Sequence, residues 1–97
     1  MNNTRWILEW NGNYVLHDYS LKIERAIMEI FEKSDSTYCL HCPEMGYDGF
    51  DGYSCLLLDS KTIKDAKEEA EGLYEEWLKE QIDHYNNRLN LLFGKTV

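Results

Sequence analysis

Two cysteines three positions apart with a histidine between them, Cys39-Leu40-His41-Cys42, are the residues best placed to do chemistry. Thiolates at this spacing can bind zinc or cycle as a redox pair. Zinc needs a tight turn that brings both sulfurs to one side, and further ligands to complete the site. The remaining candidates, Cys55, His17 and His84, are distant and form no second paired motif. A thioredoxin-like pair opens a helix, whereas Pro43 and a glycine-rich loop follow here. Thr37 to Cys42 reads instead as a strand ended by Pro43. Side chains alternate across a strand, so Cys39 and Cys42 point to opposite faces and cannot share a metal without a bulge. No metal or other cofactor is expected, and the cysteines are read as small apolar side chains of a sheet.

A second candidate is Tyr47 to Tyr53, YDGFDGY. Its Asp-Gly pairs hint at cation binding, but the EF-hand order of acids and its late glutamate are missing. Two readings stay open: a flexible turn, or a contact loop in which Tyr47, Asp48, Phe50 and Asp51 recognise a protein. Catalysis finds little support. There is no G-x-S-x-G, P-loop or H-E-x-x-H, and His17, His41 and His84 have no evident companions. The chain reads as a non-enzyme.

The elements that must carry these residues follow from periodicity. Trp6, Leu8 and Trp10 alternate with Ile7 and Glu9 as in a strand, with both Trp rings on one face of a sheet. Asn11-Gly12 is the preferred pair for a two-residue type I′ turn, and Tyr14, Val15 and Leu16 lead back. Residues 20 to 34 fit a helix stripe through Ile23, Ala26, Ile27, Ile30 and Phe31, or a strand. The short polar segment Lys33 to Ser36, suited to a hairpin loop, favours a strand over about 25 to 32. Residues 53 to 58, YSCLLL, are apolar and strand-like.

A long helix over about residues 63 to 92 closes the chain. Thr62 with Asp65 three residues on forms a capping-box-like start. Ile63, Ala66, Ala70, Leu73 and Trp77 recur at helical spacing, and Gly94 suits the C-terminal cap. Such a helix outruns a strand of six residues, roughly 45 Å against 20 Å. Its later stripe of Ile82, Tyr85, Leu89 and Leu92 then either overhangs and joins a second copy, or folds back at Asn86-Asn87. The expected fold is α+β in one domain, residues 1–97. A strand meander (about 5–59) forms an antiparallel sheet of about four strands, packed on that helix.

Charge restricts the function classes. The chain carries 18 acids against 10 bases, a net charge of -8. That field repels phosphate backbones and anionic membranes and favours basic partners. No apolar run reaches the length of a bilayer span, and MNNTRWILEW has no signal-peptide core. An odd count of three cysteines fits a reducing compartment. A soluble, cytoplasmic protein is expected. Eight acids (Asp65, Glu68, Glu69, Glu71, Glu75, Glu76, Glu80, Asp83) and two bases (Lys67, Lys79) fall between 65 and 83, so 19 residues hold -6 of the charge. This is either a solvated helix face or an acidic ridge, with Glu68, Glu71, Glu75 and Glu76 docking in a basic groove as spaced phosphates would.

The order of features resembles small phage and prophage proteins of unassigned function. Trp6 to Leu16, Thr37 to Leu40 and the helix start Thr62 to Glu71 carry the likeness, over about residues 6 to 78. Those proteins open with a Trp-bearing strand and an Asn-Gly or Asp-Gly turn, continue as a meander, and close with a helix. The tail from Lys79 onward and the YDGFDGY loop depart from the pattern. The resemblance implies a bacterial-host setting and, by analogy with acidic anti-CRISPR proteins, an inhibitor of a nucleic-acid-handling host defence protein. A homodimer joined by the helix stripe is the alternative.

Overall fold

The computed structural model describes residues 4–19, 25–49 and 55–95. Five strands form one antiparallel meander: β1 (Thr4–Leu8), β2 (Tyr14–Asp18), β3 (Arg25–Glu32), β4 (Tyr38–His41) and β5 (Leu56–Leu57). A short 3₁₀ turn, Pro43–Met45, follows β4, and α1 (Ile63–Phe93) ends the chain. The fold is α+β as expected, with five strands rather than about four because Leu56–Leu57 pairs with β4. Residues 25 to 32 are a strand. Met28 and Ile30 alternate inward from it, opposite Leu16 and Tyr14 of β2.

Both described hairpins turn in the same way. Glu9 N–H donates to the Asn13 carbonyl and Gly12 N–H to the Glu9 carbonyl; Lys33 to Thr37 and Ser36 to Lys33 repeat the pattern. Each loop is therefore three residues closed by one in the left-handed region, Gly12 (φ 86°) and Ser36 (φ 64°). The Asn11 and Asp35 side chains accept from the N–H groups of Asn13 and Thr37. The expected two-residue type I′ turn is thus corrected. That turn needs positive φ at both central residues, and Asn11 is not among the residues with positive φ. The longer loop carries Trp10 to the hairpin tip, 95% exposed, so the two tryptophans do not share a sheet face. Trp6 alone packs toward the helix.

One face of the sheet meets α1. Leu16, Met28, Ile30, Leu40, Cys42 and Leu58 form the core with Ala66 and Ala70 of the helix. Tyr14, Tyr38, Ile63, Leu73 and Tyr74 border it. A bulge between Leu16 and His17, opposite Ile27, shifts the β2–β3 register. α1 runs unbroken for 31 residues, through Gly72 and Asn86-Asn87. At 1.5 Å per residue it is about 46 Å long, close to the 51 Å long axis of the molecule. The fold-back alternative is therefore excluded, and the half after Leu78 projects beyond the sheet.

The strain at Ser36 predicts a stabilising substitution. A non-glycine residue in the left-handed region costs about 1 kcal/mol, and the matching position in the first hairpin is already Gly12. Ser36→Gly is expected to raise stability by about 0.5–1 kcal/mol in urea unfolding at unchanged m-value.

Candidate protein-docking surface

The helix that bears most of the acids is anchored at its start by side chains. Thr62 Oγ1 accepts from the Asp65 N–H at 3.2 Å, the expected cap. Glu69 makes a second anchor absent from the sequence expectations. Its carboxylate accepts from the N–H of Asp59 (3.1 Å), the N–H of Ser60 (3.0 Å) and the Ser60 hydroxyl (2.7 Å). It thus ties the segment after β5 to the second turn of the helix. Burial pushes the Glu69 carboxyl up, but these three hydrogen bonds outweigh it and hold the group below the usual glutamate range. At the far end Gly94, at φ 65°, closes the helix: its N–H donates to the Asn90 carbonyl, and the Lys95 N–H donates to the Leu89 carbonyl.

The four glutamates proposed from the sequence separate into two pairs. All four are exposed, and the pairs differ in their contacts. Glu71 accepts from Trp6 Nε1 at 2.8 Å, and Glu75 pairs with Lys79 at 3.3 Å. Glu71 and Glu75 also line a cleft of about 420 Å³ between α1 and the sheet, with Thr4, Leu16, Ile27, Tyr74 and Leu78. At 100° per residue, Glu68, Glu71 and Glu75 share one helix face and Glu76 lies about a quarter turn or more away. The acids therefore wrap the helix rather than form a single ridge. Lys67 is drawn inward, its Nζ 4.4 Å from the centre of the Tyr14 ring, which leaves the outer face more acidic.

The loop proposed as a contact element starts beside the helix. Tyr74 donates its hydroxyl to Glu44 of the 3₁₀ turn at 2.9 Å, and burial first and this acid second push the phenol well above its ordinary range. Tyr47 closes the turn by a bridge to Cys42, and Asp48 beyond it is exposed. Phe50, Asp51 and Tyr53 lie outside the described residues. His41 donates through Nδ1 to the Gly49 carbonyl at 3.4 Å, holding the near end of the loop to the sheet.

The cysteines sit as alternation requires. Cys42 is buried in the helix-facing core, its thiol directed at the Ile27 carbonyl. Cys39 is equally buried but outside that cluster, on the other face. Its thiol is pushed up to about 11 by burial first and by Cys55 second. Cys55, from the next strand segment, is thus the sulfur near Cys39. Sequence spacing does not reveal this neighbour, because strand pairing creates it. Burial raises Cys42 as well. Among the described residues no group of three or more His, Cys, Asp or Glu side chains is arranged to hold a metal ion.

The overhang carries the residues proposed for oligomerisation. Ile82 and Tyr85 are more than half exposed and Leu92 two-thirds, while Leu89 is half-buried. Among the described residues no helix is long and apolar enough to cross a membrane. No family model, curated protein or solved structure matches the chain.

Glu69 gives a pH-dependent test. Its folded carboxyl lies below the 4.5 of the free group, so its contribution is complete above pH 4.5 and fades as pH falls through the folded value. Glu69→Gln is expected to lose about 1–2 kcal/mol at pH 7. In melts the gap to the parent should narrow progressively as the pH is lowered below 4.5. The thiols give another test. With its thiol pushed up to about 11, Cys39 stays protonated and unreactive at pH 7. Iodoacetamide labelling followed by mass spectrometry should modify Cys39 and Cys42 only after unfolding.

Proposed function

We propose that this chain is a non-catalytic acidic binding protein. It docks its helix in the basic groove of a host protein that handles nucleic acid and inhibits it, in the manner of anti-CRISPR proteins. The supporting observation is linear charge density on a rigid rod. The net -6 between residues 65 and 83 lies on about 27 Å of continuous helix, roughly one charge per 4.5 Å. One strand of B-form DNA carries one per about 3.4 Å. A groove shaped for a phosphate strand meets a similar field here without paying for a flexible chain to be ordered. All four glutamates of the proposed set are exposed, and Glu71 and Glu75 are the two held by side-chain contacts, with Trp6 and Lys79. Tyr47 and Asp48, on the turn that Glu44 ties to Tyr74, extend the surface. Direct nucleic-acid and membrane binding are disfavoured by the same charge.

The test is capture from bacterial lysate with the parent and with Glu68→Lys/Glu76→Lys. The expected result is a captured protein that added duplex DNA or RNA displaces. Its retention should fall between 50 and 200 mM salt, and the double variant should lose it at least tenfold. Capture indifferent to salt, to nucleic acid and to the two charge reversals would sink the reading.

A further inference from the structure

The overhanging half of α1 carries an apolar stripe that its own sheet cannot cover. Leu78, Ile82, Tyr85, Leu89 and Leu92 alternate at spacings of four and three, the pattern of a helix-pairing seam. At 100° per residue this stripe lies about a quarter turn around the helix from Ile63, Ala66, Ala70 and Leu73, which pack against the sheet. A stripe that merely continued the core would keep the same bearing. Its direction coincides instead with the helix side of the cleft lined by Glu71, Tyr74, Glu75 and Leu78. Seam and cleft therefore form one continuous track, apolar along the overhang and acid-flanked at its root.

Charge selects the occupant. The helix is polarised: eight acids lie between 65 and 83, and after Asp83 there are none, only His84, Arg88 and Lys95. A parallel partner of the same sequence would set acid against acid. An antiparallel one sets the basic end of each copy beside the acidic half of the other. We propose that two copies of this chain pair antiparallel through the Leu78–Leu92 seams, with the Leu92–Lys95 end of each helix seated in the other's cleft between α1 and β1–β3. The register is specific. With Ile82 against the second copy's Tyr85, Leu78 meets Leu89. Leu92 reaches the level of Glu75, and Lys95 lies between the levels of Glu71 and Glu75. The contact is isologous, so it closes as a two-fold dimer. It uses Glu71 and Glu75 and leaves Glu68 and Glu76 free, and it does not depend on the proposed inhibitory role.

Sedimentation velocity across 1–100 μM decides it. The parent should sediment at twice the 11.5 kDa chain mass. Leu89→Glu and, separately, Leu92→Glu should weaken the dimer by about a hundredfold with the melting transition of the sheet retained. Far-ultraviolet circular dichroism identifies a variant that has unfolded, and the other then carries the test. Lys95→Glu should weaken the dimer about fivefold, and adding Glu75→Lys should restore it. A parent that is monomeric at 100 μM overturns the proposal and leaves the seam to a different protein. A dimer that survives both seam variants overturns it too. A dimer sensitive to the seam but indifferent to the Lys95–Glu75 exchange overturns the antiparallel seat.

Discussion

Two alanines one helical turn apart set how closely α1 lies on the sheet. Ala66 and Ala70 are fully buried against Leu40, Cys42, Ile30 and Leu58, and no larger side chain separates the helix backbone from the strands there. Close approach at this point fixes the helix direction, because Thr62 and Glu69 anchor the turns just before and around it. Among the described residues, the helix contacts that hold it to the sheet and its turns lie in its first half, from Ile63 to Tyr74. The remaining turns must therefore project as a straight rod, and the exposed seam and the acid-rich shaft both follow from that geometry.

Polar contacts divide the acids of this helix by task. Glu69 holds a connection, Glu71 holds the Trp6 indole on the edge strand, and Glu75 is paired along the helix with Lys79. Such exposed pairs contribute little individually. Their effect is positional, since they set where negative charge stands while Glu68 and Glu76 face solvent. The helix is thus tied to its sheet on one side and charged on the others. It becomes apolar again only where no sheet lies beneath it.

Much of this was legible in order and period. The Thr62–Asp65 cap, the strand at 25 to 32 and the opposite-face placement of Cys39 and Cys42 all rest on local geometry, and local geometry is encoded by neighbours in sequence. Trp10 was misplaced because a two-residue and a three-residue loop both accept Asn-Gly, and one added residue moves the side chain from a sheet face to a hairpin tip. The proximity of Cys55 to Cys39 and the three hydrogen bonds of Glu69 were illegible. Both join segments whose meeting depends on how β5 pairs and where the helix turns back.

Taken alone, the sequence determined the classes of element, the start of the helix and the concentration of charge on it. Periodicity, caps and charge are properties of short windows, so no long-range contact was needed to read them. Only the tertiary structure decided that the helix is unbroken through Asn86-Asn87, that its later stripe points a quarter turn away from the sheet, and that this stripe runs into a cleft. The bearing of a stripe has meaning only relative to a surface, and that surface is assembled from strands up to some seventy residues away along the chain.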